Sequence, residues 1–371
     1  MIDAIFVVRL DDFQGFLVEK RYPDNLSLNE RILNLVFFDQ QKDKKEQIKF
    51  SEIDELRVLS FKLLDHPETT VCFVLSEETT PDQVRGVVRG MGRLILELLN
   101  RNPELVDLGE ILRKKSVLPD RKEEQQTAEV FLTPSTALVL ENMQQESIQT
   151  AAKLSMWLKG QTQSDDINIR DAFAPLINNG LAKVEIVKKT QETVFLLKDI
   201  FCYRAPPIES LQAASTEYPD SVEKYRQSVK NFFSPPPPEK GYNPTIPVED
   251  PNSPIIEDRK IIASILADSI DYVVLSSLRE KPMSVLEISE NTAFPESVVQ
   301  SSLWDLQSNR VVTFFEHEDL WALITNPTIE SFMPIYALEI ISRKLLDKEV
   351  SSDIAARYLE LLTQYWGEPV D

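Results

Sequence analysis

Between Ala205 and Pro254 the chain carries 11 of its 23 prolines, among them the unbroken run Pro235-Pro236-Pro237-Pro238. A proline ring fixes φ and removes the amide donor, so this run is predicted to be extended polyproline II. It fits neither a helix interior nor a central strand. Separate packed cores are therefore expected on either side of it. The stretch reads as a semi-rigid spacer, or as a ligand for an aromatic-lined groove. A softer boundary, the polar run Asp120 to Thr127, divides what precedes it. The expected organisation of the 371 residues is a domain over 1–119, a second over 128–204, a linker over 205–258 and a third domain over 259–371.

Hydrophobic residues make up 42% and charged residues 27%, ordinary usage for folded domains. The 40 basic against 60 acidic side chains leave a net charge of −20, which disfavours a polyanionic partner and makes another protein the expected one. Met1 to Arg9 has no basic leader pattern, and no window holds about 18 uninterrupted apolar residues, so neither a secretion signal nor a membrane span is expected. Cys72 and Cys202 lie in unrelated segments, which predicts free thiols in a reducing cytoplasm, with no Cys/His zinc site.

The first 119 residues predict an alternation of strands and helices. Ile2 to Arg9 and Gly15 to Arg21 read as strands around the turn Asp11-Asp12-Phe13-Gln14. Asn25 to Phe38 has helical apolar spacing; Arg57 to Leu63 and Thr69 to Leu75 are further strands joined by Asp65-His66-Pro67-Glu68. Thr80-Pro81 opens a long helix with Val84, Val87, Val88, Met91, Leu94, Ile95 and Leu98 as its expected buried stripe, and a shorter helix covers Glu104 to Lys115. This order, strand-strand-helix, two or three strands, long helix, short helix, resembles the longin fold, a relative of roadblock and profilin-like domains. The resemblance implies a platform that binds small GTPases or other longin and roadblock domains.

The two later segments repeat one plan. In the third, helices at Ser269 to Glu280, Met283 to Glu290 and Phe294 onward through Leu306 precede strands at Val311 to Phe315 and Leu320 to Ile324. In the second, helices at Thr136 to Met143, Ile148 to Leu158 and Ile167 to Asn178 precede strands at Val184 to Lys188 and Thr193 to Leu197, with a helix stop at Asn179-Gly180. Three helices followed by a hairpin resembles the winged helix-turn-helix. Further helices are expected at Ile335 to Lys348 and Ser352 to Trp366. The expected fold class is therefore α+β: a longin-like domain, two winged helices and C-terminal helices.

A helix that reads DNA carries Arg, Lys, Asn or Gln on its exposed face. The corresponding helix of the third segment has neither lysine nor arginine, and its wing adds Glu316, Glu318 and Asp319. The second segment offers Lys183, Lys188 and Lys189 as anion contacts, or as charges that blunt a strand edge. A transcriptional regulator gripping DNA through these three lysines is the alternative reading.

No phosphate-binding glycine motif, nucleophile elbow or metal-ligand pattern is present, and 9 glycines leave little for a phosphate cradle. No cofactor is expected. His66 and His317 read as surface histidines. A longin domain followed by winged helices also resembles the nitrogen-permease-regulator-like and folliculin group of GTPase regulators, which implies an arginine finger near the strand leading to the long helix. The matching turn, Asp65-His66-Pro67-Glu68-Thr69, has no arginine; the nearest candidate is Arg57, which also reads as an ordinary strand residue. Arg85, Arg89 and Arg93 recur every four residues and form a basic stripe on the long helix, either a contact for an acidic partner or a solvated face. The expected function is a cytoplasmic interaction scaffold, reaching membranes only through partners, with GTPase activation as a further alternative and hetero- or homo-oligomerisation left open.

Overall fold

The structure is a computed structural model and describes residues 1–38, 46–53, 56–63, 66–163, 168–187, 192–233, 246 and 254–367. Its compact units are discontinuous in sequence: one comprises Met1–Asp120, Val273–Ser308 and Val312–Ala322, the other Arg121–Tyr272, Asn309–Val311 and Leu323–Asp371. The expected succession of consecutive blocks is corrected accordingly.

The first unit opens with strands β1 (Ile2–Asp11) and β2 (Gly15–Tyr22). Asp11 Oδ1 accepts from the amides of Phe13 and Gln14, both at 2.9 Å, and Gly15 takes φ +77°, so the hairpin turn is closed by a side chain and released by a glycine. Helix α1 spans Glu30–Phe38, shorter than expected, because Asn29 Oδ1 accepts from the Ile32 amide and sets the start. Strands β3 (Glu46–Ile53), β4 (Leu56–Leu63) and β5 (Thr69–Leu75) complete an antiparallel sheet of order β2-β1-β5-β4-β3.

Both faces of that sheet are buried. Ala4, Phe6, Val8, Val58, Cys72 and Val74 pack with Ile32, Leu33, Val36 and Phe37 of α1. The alternating set Ile5, Val7, Leu59, Phe61, Val71 and Phe73 is also fully buried, on the face taken by helix α2 (Pro81–Arg101), which supplies Met91, Leu94, Ile95 and Leu98. A Cβ built on Gly92 would lie 2.4 Å from the Phe61 ring, so glycine sets how closely α2 approaches the sheet. Helix α3 (Leu108–Lys114) packs on β1 and β2. Beyond it the chain crosses α2 at Gly90, where the Leu118 amide donates to the Gly90 carbonyl at 3.1 Å.

The second unit starts with α4 (Glu123–Leu132), where the sequence suggested only a polar boundary, and α5 (Pro134–Glu146). Strand β6 (Ile148–Thr150) precedes α6 (Ala151–Thr162); Ile148 to Leu158 was expected to be one helix, but Thr150 Oγ1 accepts from the Lys153 amide and caps the helix after three extended residues. Helix α7 (Ile169–Asn178) stops where expected, with Gly180 at φ +65° and the Leu181 amide donating to Leu176. Strands β7 (Ala182–Ile186) and β8 (Glu192–Leu196) form with β6 a sheet of order β6-β8-β7.

The 205–258 linker is corrected in part. Strand β9 (Asp199–Ala205) runs into α8 (Ile208–Glu217) and α9 (Val222–Phe233). Pro206, Pro207 and Pro219 sit before helix starts, where a missing N–H is tolerated, and α9 buries Val222, Tyr225, Val229 and Phe232 at helical spacing. The polyproline run lies outside the described residues. Helix α10 (Pro254–Ala267) follows.

Helix α11 (Ser269–Glu280) leads to α12 (Val285–Thr292), α13 (Glu296–Ser308) and strands β10 (Val312–Phe315) and β11 (Leu320–Leu323). Ser284 and Glu287 form a reciprocal cap, which starts α12 two residues later than expected. The α12–α13 turn belongs to the first unit: Lys114 Nζ donates to Ser289 Oγ at 2.7 Å and to the Phe294 carbonyl at 3.3 Å, Ser116 Oγ donates to the Ala293 carbonyl, and Arg101 pairs with Asp305.

The remainder returns to the second unit. Strand β12 (Asn326–Phe332) pairs antiparallel with β9. Helices α14 (Tyr336–Leu346) and α15 (Ser352–Trp366) bring Ala337, Ile341, Tyr358, Leu361 and Leu362 onto Ile148, Phe195 and Leu197.

Candidate interaction surface on the N-terminal domain

The structure separates the three arginines of α2. Arg85 and Arg89 lie on the exposed face, whereas the Arg93 guanidinium is folded back on Asp120 (3.4 Å) and the Pro119 carbonyl, its side chain 13% exposed. The expected stripe of three is therefore an outward pair, because Arg93 lies where the chain crosses α2. Val87 belongs with the pair: it is 39% exposed and stands apart from the buried series Val88, Met91, Ile95 and Leu98. Spacing alone does not reveal this, since Val87, Met91, Leu94 and Leu98 also repeat at intervals of four and three, and the last three are buried. A Cβ on Gly86 would meet nothing within 4 Å, so the backbone between Arg85 and Val87 is open as well.

The entry to this helix is held by a dense set of hydrogen bonds. Arg57 Nη1 donates to the carbonyls of Ser76 (2.8 Å), Glu77 (2.8 Å) and Thr79 (3.0 Å), while Arg57 Nε faces Glu52 and its guanidinium lies 5.5 Å from the Phe50 ring centre. The terminal amine of Met1 donates to Ser76 Oγ, and the Thr80 amide donates to Gln83 Oε1 at 3.0 Å. Arg57 thus orients the β5–α2 loop through three backbone carbonyls. The turn that the resemblance would assign to a finger places His66 Nε2 3.1 Å from Asn100 Nδ2, and the Glu68 carbonyl accepts from Leu10.

The lysines of the second segment do not form a described cluster. Lys183 Nζ pairs with Glu185 at 2.8 Å; Lys188 and Lys189 lie outside the described residues. On α13 the exposed side chains include Glu296, Ser297, Trp304, Asp305 and Gln307, and the β10–β11 turn exposes Glu316, His317 and Asp319. That surface repels phosphates and presents one large aromatic, Trp304 at 60% exposure.

Burial raises both thiols, that of Cys202 to about 12 and that of Cys72 further, so neither is a nucleophile near neutral pH. Among the described residues no group of three His, Cys, Asp or Glu side chains is placed to hold a metal, and no single helix is long and apolar enough to cross a membrane. The five-stranded sheet ends in β2 and β3. The exposed face of α2 at Arg85, Val87 and Arg89 thus presents two cations beside one apolar side chain. No protein-family model matches the chain, and no characterised protein matches it in sequence.

Proposed function

We propose that the chain is a cytoplasmic interaction scaffold whose N-terminal domain, longin-like, binds a small GTPase or another longin or roadblock domain. The observation that carries this reading is the outward set Arg85, Val87 and Arg89 on a helix whose entry Arg57 locks in place. In a chain of net charge −20, two adjacent cations beside an apolar residue suit an acidic protein surface. The strand order β2-β1-β5-β4-β3, with α1 on one face and α2 on the other, supports the longin resemblance. The α12–α13 and β10–β11 segments, read as one winged helix, serve as a buttress against α2 and α3; the α5–β8 segments are read as the other.

Pull-down of nucleotide-loaded small GTPases and of longin and roadblock proteins by the full chain tests this. A partner retained by wild type and lost on Arg85→Glu/Arg89→Glu supports it. Absence of any partner, or equal retention by the double variant, removes it.

A further inference from the structure

Helix α14 leaves an apolar stripe in the open. Ile335 at its N-cap is 67% exposed and Leu346 in its last turn 82%, with Leu338 and Leu345 exposed between them. Together with exposed Ser342 these side chains recur at steps of three and four and share one face of the helix. The opposite face carries Ala337, Ile341 and Lys344, which are buried in the second unit.

The open face is laid out evenly about the level of Ile341. Ile335 and Leu338 precede that level, and Leu345 and Leu346 follow it at matching distances. Glu339 and Arg343 stand on either side of it, one turn apart on one flank of the stripe. Both are exposed, and among the described residues neither has an ion-pair partner. In an isologous contact about a twofold axis, two antiparallel helices set each flank against the same flank of the copy. At about 1.5 Å per residue, an axis at the level of Ile341 brings Ile335 beside Leu346 of the second copy, Leu338 beside Leu345, and Glu339 opposite Arg343, twice over. A uniformly charged partner would oppose one of the two charges, whereas the helix running the other way satisfies both. The repulsion between two chains of net charge −20 is screened beyond about 8 Å at physiological ionic strength. Three turns of helix bury little area, so the expected Kd is on the order of 0.1 mM.

We propose that α14 is a self-association face on which a second copy of this chain docks antiparallel, apolar stripe on apolar stripe and Glu339 against Arg343. The inference is independent of docking through Arg85, Val87 and Arg89.

Sedimentation velocity on the full chain, from about 5 to about 500 μM in about 0.15 M salt, tests it. The expected result is a reversible monomer–dimer equilibrium. Glu339→Arg and Arg343→Glu should each weaken it about tenfold, because each sets like charges across the axis. An equimolar mixture of these two variants should associate as wild type does, since one chain then brings two cations and the other two anions; a change confined within one chain cannot produce this rescue. Leu346→Glu, at an exposed position that leaves the thermal midpoint unchanged, should abolish the dimer, and Arg85→Glu/Arg89→Glu should leave it intact. A monomer throughout the range, undiminished association of Leu346→Glu, a mixture no stronger than its two components, or loss of the dimer in Arg85→Glu/Arg89→Glu overturns the proposal.

Discussion

Arg204 and Asp258 meet in a doubly hydrogen-bonded ion pair, Nε to Oδ2 at 2.6 Å and Nη2 to Oδ1 at 2.7 Å, with their side chains only 4% and 10% exposed. The same guanidinium donates from Nη1 to the Asn309 carbonyl at 3.0 Å and to Thr325 Oγ1 at 3.1 Å. One side chain thereby ties β9 to α10 and to the start of β12. Removing one member of such a pair leaves an uncompensated buried charge. Arg204→Met is expected to lower the stability of the second unit by about 3–5 kcal/mol in urea denaturation, and Arg204→Met/Asp258→Leu by less than Arg204→Met alone. A single substitution that costs under about 1 kcal/mol contradicts this role for the pair.

Because the Arg57 guanidinium serves three carbonyls of the β5–α2 loop, Arg57→Met is expected to cost about 1–3 kcal/mol. It should also speed amide exchange over residues 76–81. Single-turnover GTP hydrolysis by any bound GTPase should be the same with wild type and variant. A rate that collapses while exchange stays unchanged would assign Arg57 as a finger.

Two glycines of α2 predict opposite outcomes. At Gly86 an added Cβ has open space, and Gly86→Ala should stabilise by about 0.5–1 kcal/mol through its better helix propensity. At Gly92 the added Cβ would sit inside the Phe61 ring contact, and Gly92→Ala should destabilise by about 1–3 kcal/mol. Thermal unfolding of the two variants measures both signs.

The Arg357 guanidinium donates to both Glu185 oxygens, at 2.7 Å and 2.9 Å, and holds that carboxyl at about 2, below its ordinary 4.5. A folded-state value below the unfolded one contributes stability that is complete above about pH 4.5 and is lost as pH falls toward 2. The difference in urea midpoint between wild type and Arg357→Met should therefore be widest above pH 5 and close on acidification. A gap that stays constant from pH 6 to about 2.5 means the pair adds nothing through Glu185.

The local grammar of this chain was readable residue by residue. Asn179-Gly180 marked the end of α7, Thr80-Pro81 the start of α2, and the strand spans at Thr69 to Leu75 and around Ile2 to Arg9 followed from apolar runs bounded by turns. These are decided within a few residues by caps, proline and period. Arg85 and Arg89 were likewise legible as a surface pair, since their spacing sets them on one helical face. Arg93 has the same spacing, yet it turned inward because the chain after α3 passes over it.

What the sequence determined by itself was where several elements begin or end, that the fold mixes strands and helices, and that the chain is acidic and lacks a nucleotide or metal motif. Tertiary structure alone decided that β9 pairs with β12 from more than 100 positions away, that the α12–α13 turn sits on Lys114 and Ser116, and that Arg57 closes a loop. The reason is that backbone conformation responds to near neighbours, whereas the partner of a strand edge, a guanidinium or a buried amide is chosen by which distant surfaces exclude water together.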